Sequence, residues 1–193
     1  MAVNYQHLGK DELIALLIKK DRQLEQLKKK HDENSRDELT NAYNRNTGFE
    51  LMSRKMKKSD HIVLCLIDMN GLKQINDIHG HVEGDKAIQS LVMGIESCIR
   101  KQDFIIRIGG DEFVIVFNNA DMNTARTIVK NIKQKLSKVE NEKGYKISFS
   151  SGLVDCSKYP DKTIKEIIDI VDKKMYKEKE KVKAKMGLKL GER

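Results

Sequence analysis

Tryptophan is absent, proline occurs once, and aromatic residues make up only 5% of the 193 positions. So few rings leave little surface on which bases could stack, which argues against a nucleic-acid platform. Scarce proline, with 39% hydrophobic and 34% charged residues, excludes a disordered or fibrous chain and points to a helix-rich globular composition. No run approaches the roughly 20 apolar residues that cross a bilayer. The first twenty residues, MAVNYQHLGKDELIALLIKK, lack the apolar segment and small-residue cleavage site of a signal peptide. The expectation is a cytoplasmic protein with no membrane partner. Three cysteines, Cys65, Cys98 and Cys156, match no zinc spacing, and their odd number suits free thiols that fill the core of a protein in a reducing compartment.

The length allows one catalytic core and an appendage. The net charge of +8 is unevenly spread: residues 160–193 carry 11 basic and 7 acidic groups, half of the excess. A lysine-rich terminal helix reads first as a solvated face. A nucleic-acid protein using this basic end would show affinity falling steeply with salt, but charge alone supports that reading.

Three segments emerge. In residues 1–36, Leu13, Leu17, Leu24 and Leu27 form a short, imperfect heptad pattern. It fits either an amphipathic helix docked on its own domain or a parallel dimerising stalk. The polar stretch HDENSRDELT is the candidate boundary, and the globular domain is expected over 37–185, with a tail at 186–193. Within the domain, HIVLCLI (61–67) suits a strand buried on both faces. Ala87, Ile88, Leu91, Val92, Ile95 and Ile99 recur at helical spacing, which predicts one long helix. DFIIRI (103–108) and FVIVF (113–117), separated by Gly109, Gly110, Asp111 and Glu112, predict a hairpin. A helix on Ala125 to Leu136, a strand over 145–154 and a helix after Pro160 complete an α+β order, with helices expected on one face of a largely antiparallel sheet.

Asp68 directly follows the buried strand, and Asp111 and Glu112 stand in the hairpin turn. If that strand pairs beside the hairpin, three carboxylates meet at one rim, where their mutual repulsion calls for a cation. Hard oxygen ligands completed by phosphate suit magnesium, and magnesium on a triphosphate suits nucleotidyl transfer. A Gly-Gly-Asp-Glu turn is also compatible with an ordinary solvated hairpin.

RIGGDEF (107–113) resembles the signature of the GGDEF family of diguanylate cyclases. DELTNAYNR (37–45), DMNGLKQINDIHGHVEGD (68–85) and DKKMY (172–176) resemble the family's entry motif, its metal and guanine-binding segment and its closing helix. The resemblance covers about 37–183 and implies an adenylyl-cyclase-like, ferredoxin-like palm that condenses two GTP into cyclic di-GMP. It implies two Mg²⁺ per site, with Mn²⁺ as an alternative, held by Asp68, the Met69 carbonyl and Glu112, leaving Asp111 to take the 3′-hydroxyl proton. Asn76 and Asp85 would read the guanine edge, and Gly71 and Leu72 would present backbone N–H groups to phosphate. Lys73, Lys179 and Lys183 match positions that touch the triphosphate. Catalysis would need a homodimer, since each site holds one GTP.

Five positions depart from the family's pattern. Asn70 stands for a common aspartate, Leu72 for a common phenylalanine, and Val182, Lys183 and Ala184 for Gly-Arg-Asn, so Lys183 keeps the charge without arginine's fork. Arg100 and Asp103 resemble the Arg-x-x-Asp product-inhibition site, though either could belong to a plain salt bridge. The competing reading is a binding module that has lost turnover and senses GTP or cyclic di-GMP; the intact Asp68, Asp111 and Glu112 argue against it.

Overall fold

The structure, a computed structural model, describes residues 9–33, 35–58, 61–139 and 141–185. Helix α1 (Lys10–Glu33) leads into a short strand, β1 (Tyr43–Asn44), and α2 (Arg45–Met56). Strand β2 (Ile62–Met69) follows, then α3 (Leu72–His79), α4 (His81–Glu96), the hairpin β3 (Phe104–Arg107) and β4 (Glu112–Asn118), and α5 (Met122–Leu136). Strand β5 (Phe149–Asp155), a 3₁₀ turn (Cys156–Lys158) and α6 (Ile164–Lys185) end the described chain. The sheet order is β1-β3-β4-β2-β5, antiparallel except where β1 runs parallel to β3.

All eight residues of β2 are buried, which explains its unbroken apolar run. Val63, Cys65, Ile67 and Met69 face one core with residues of α4 and α5; Ile62, Leu64 and Leu66 face a second with Met52 of α2 and Ile167, Val171 and Met175 of α6. A central strand has no solvent face to alternate with. Helices therefore cover both faces of the sheet, not one as the sequence suggested. Helix α2 escaped notice because it buries only Gly48 and Met52.

The long helix expected on Ala87 to Ile99 is α4, and a separate shorter helix, α3, precedes it; the two part at Gly80, whose φ of 85° lies where a side chain is strained. The final strand starts at Phe149 rather than Tyr145, because the preceding segment is tied elsewhere: the Tyr145 phenol donates to Glu83, and the Asn141 amide donates to the Tyr145 carbonyl. Glu112 opens β4 instead of sitting in the turn. Cys65 and Cys156 are buried, and Cys98 is partly so.

On α1, Leu17 and Leu24 are more than half exposed and Leu13 is partly covered. The described part of this apolar seam is not buried against the domain; the side chain of Leu27 lies outside the described residues. Helix α6 lies directly on β5, since a Cβ on Gly152 would collide with the backbone of Val171 and Met175. That contact sets the height at which the later residues of α6 reach the sheet's end.

Candidate active site

Register brings the acids together. The β2–β4 ladder pairs Asp68 with Glu112, and the Met69 N–H donates to the Asp111 carbonyl at 3.0 Å. Asp68, Met69, Asp111 and Glu112 thus share one end of the sheet, as expected. The turn is held from beneath by Arg107, which donates to the carbonyls of Gly109 (3.2 Å) and Gly110 (2.7 Å) and to Asp37 Oδ1 (2.8 Å). Thr40 also donates to Asp37, so the entry motif and the glycine turn form one unit. Burial pulls the Asp37 carboxyl upward, yet the bonds from Thr40 and Arg107 outweigh it and leave the group below its ordinary value.

The two glycines differ. A Cβ on Gly109 would stand 2.8 Å from Glu112 Oε2, so its absence makes room for the carboxylate, whereas Gly110 faces open space. Glu112 holds its proton more readily than an ordinary glutamate, first because of burial and then because Asp68, Asp111 and Asp172 surround it with negative charge. Lys179 relieves part of this: its ammonium donates to Asp68 Oδ2 at 2.6 Å, and Asp68 is only 5% exposed.

Among the described residues no three carboxylates, thiols or imidazoles gather as a ready-made metal cage. The expected tight cluster of three acids is therefore looser, with Lys179 set against Asp68. The donor set nonetheless fits magnesium: two hard carboxylates on paired positions, beside the Met69 backbone, leave most of the coordination shell to phosphate and water.

Beyond β2, Gly71 at φ 76° begins α3, and Leu72 is half-buried against the core. Asn70 explains its own departure from aspartate. Its N–H donates to the Ser148 carbonyl, its amide nitrogen to Ser148 Oγ at 3.2 Å, and its amide oxygen accepts from Ser150 Oγ at 2.8 Å. A carboxylate could not donate in this network. Asn76 on α3 abuts Gly84, where any side chain would overlap the Asn76 amide, and Asp85 follows at the exposed start of α4. Lys73 is exposed. Lys183 has its side chain outside the described residues.

Arg100 and Asp103 lie at the other end of β4, beside Asn118, about 20 Å from Glu112 at 3.3 Å per residue. Asp103 has a fully buried side chain that accepts from the Arg100 guanidinium at 2.9 and 3.0 Å, from the Arg100 N–H at 3.0 Å and from the Asn118 N–H at 3.0 Å. Arg100 also donates to the Asn118 carbonyl and stays about one-third exposed. This is no loose surface pair.

Sequence reasoning assigned no role to Arg107, which stands two residues before Gly109, or to Asp172, which stands seven residues before Lys179 and hence on the same side of α6. That spacing was the available signal.

Known proteins identify the family. A family model described as the GGDEF domain of diguanylate cyclases matches residues 34–185. The probable diguanylate cyclase DgcJ of Escherichia coli K12 is 38% identical over 125 residues, covering 63% of this chain and 25% of that protein. Diguanylate cyclase DgcM of the same strain is 33% identical over 116 residues, 60% of this chain and 28% of that protein. The chain thus spans about a quarter of these relatives' length. The coiled coil and GGDEF domain of DgcB from Caulobacter crescentus, solved with c-di-GMP, superposes with a TM-score of 0.74 at 23% identity, over 89% of this chain and 94% of that one, and so shares its fold. With a family match that takes in the whole sheet and every motif from Asp37 to Tyr176, the chain belongs to the GGDEF diguanylate cyclase family.

Proposed function

We propose that this chain condenses two GTP molecules into cyclic di-GMP, releasing two pyrophosphates. The observation that carries the reading is the cross-strand pairing of Asp68 with Glu112 beside Asp111, next to a turn in which Gly110 faces open space. Asp68, the Met69 carbonyl and Glu112 would hold two magnesium ions, whose charge supports phosphoryl transfer when they are bound. Asp111 accepts the proton of the 3′-hydroxyl as that oxygen bonds to the partner nucleotide's α-phosphorus and the bond to pyrophosphate breaks. Lys179 supplies positive charge between Asp68 and the triphosphate, aided by Lys73 and Lys183. The N–H groups of Gly71 and Leu72 donate to phosphate oxygens, and Asn70 holds that loop in place.

Asn76 and Asp85 read guanine through its carbonyl and N–H groups. Because one site holds one GTP, two copies must face each other. The exposed Leu17 and Leu24 of α1 support a stalk that raises the effective concentration of one site near its partner. In the same reading cyclic di-GMP inhibits through Arg100, the exposed member of its pair, while Asp103 keeps the guanidinium in position.

The test is incubation of purified protein with GTP and Mg²⁺, with the product identified by mass. Cyclic di-GMP from the parent and none from Asp111→Asn is expected. No product at any enzyme concentration, from protein shown to be folded, would overturn the reading. Adding product should slow the parent and spare Arg100→Ala.

A further inference from the structure

The C-terminal excess of lysine has a place in the fold. Arg126, Lys130 and Lys133 on α5 are spaced four and three apart, as Lys174, Lys177 and Lys181 are spaced three and four apart on α6. Each set forms one helical stripe, and the two stripes line opposite walls of an open groove of about 670 Å³. Five of the six cations are exposed and Lys133 is partly so. Helix α5 carries no acidic residue, and Glu178 is the only acid in the groove's lining.

The floor is the outer edge of β5 at Ser151 and Leu153, with Val129 beside it. Glu178 shows how this groove receives a carboxylate. It accepts from the Ser151 N–H at 2.6 Å, from Ser151 Oγ at 2.7 Å and from the Lys133 ammonium at 2.6 Å. Burial works against its charge, but these three donors prevail and hold it below its ordinary value. Lys174 meanwhile donates to the Leu153 carbonyl. The strand edge is thus occupied by the chain's own side chains, and an incoming molecule would meet ammonium groups above an apolar strip.

We propose that this groove binds an extended acidic segment of a partner protein. Alternate side chains of an extended peptide fall about 7 Å apart on one side, and cations three or four residues apart on a helix stand about 5 Å apart along its axis. Flexible lysine stems absorb the difference. Nucleic acid is the weaker match, because the lining has no aromatic side chain on which a base could stack and Leu153 and Val129 make much of the floor apolar. The groove contains none of the residues assigned to nucleotide binding, so its occupancy is testable apart from catalysis.

The experiment uses the full chain and a fluorescein-labelled decapeptide of alternating glutamate and serine, read by fluorescence anisotropy. A lysine-for-glutamate peptide and a labelled ten-nucleotide oligothymidylate serve as comparators. Measurements at about 0.05 and 0.3 M salt separate contact charge from screened attraction. The acidic peptide is expected to bind, to lose at least tenfold in affinity to Lys130→Glu/Lys177→Glu, and to change less than twofold with Lys158→Glu/Lys165→Glu, which alters net charge equally outside the groove. Arg126→Gln/Lys181→Gln provides a milder second variant should the first lower the melting temperature. Absence of binding, an equal loss in groove and control variants, or tighter binding of the oligonucleotide would each overturn the proposal.

Discussion

Replacing Lys179 by methionine keeps most of the side chain's stem and removes one charge, which isolates the ammonium's work at the site. Asp68 is 5% exposed and lies 2.6 Å from that ammonium, while the lysine side chain is 27% exposed. Stripping one partner from a fully buried ion pair costs about 3–5 kcal/mol. Partial exposure of the lysine lets water answer some of the remaining charge, so about 2 kcal/mol is expected here. For a chain of this size that is a fall of about 4–8 °C in melting temperature. The loss should be largest without divalent ions and shrink on adding Mg²⁺, since a bound cation replaces the missing charge. Asp68→Asn in the Lys179→Met background should recover most of the stability, because the charge that Lys179 had offset is then gone. Thermal denaturation of the parent, the single variant and the double variant, each with and without Mg²⁺, reads all six combinations. Equal stability of Lys179→Met and parent in chelator, or no recovery in the double variant, would refute the electrostatic reasoning.

Gly109→Ala places a Cβ 2.8 Å from Glu112 Oε2 and should lower cyclic di-GMP formation at least tenfold while moving the melting temperature little, measured on one preparation. Glu112 carries a raised pKa, so the stability it contributes is full below its unfolded value near 4.5 and is lost as pH rises through the folded value. Glu112→Gln should therefore be more stable than the parent at pH 7 in chelator, with the gap closing toward pH 4, as followed by denaturant titration. Asp103→Asn leaves the Arg100 guanidinium and its neighbouring donors without their carboxylate and should cost about 3 kcal/mol by urea unfolding. Gly152→Ala forces a methyl into the backbone of α6 and should cost about 2 kcal/mol or more in the same assay.

Much was legible from residue order alone. The unbroken run of β2, the glycine-split hairpin and the acids at their ends follow from local chemistry, because burial on both faces and tight turns leave marks on neighbouring residues. The motif spacing carried the family, because four motifs in a fixed order are legible in the linear sequence. Helix α2 was not legible, since a helix with two buried positions leaves almost no periodic signal. That α3 and α4 part at Gly80 was equally hidden, as a glycine at φ 85° and a glycine in a regular helix read alike in sequence.

Tertiary structure alone decided the relations between distant side chains. Lys179 and Asp68 are 111 residues apart, and only the seating of α6 on Gly152 sets one beside the other. Arg107 reaches Asp37 across 70 residues because β1 pairs with β3, and Asp103 became a buried acceptor rather than a surface ion because the end of β4 closes over it. The lysine-rich terminal helix looked like a solvated face until folding set the stripe of α6 across a groove from that of α5. Local pattern records what a residue does with its neighbours in the chain, whereas partners across the sheet are chosen by register and by helix height, which no single segment contains.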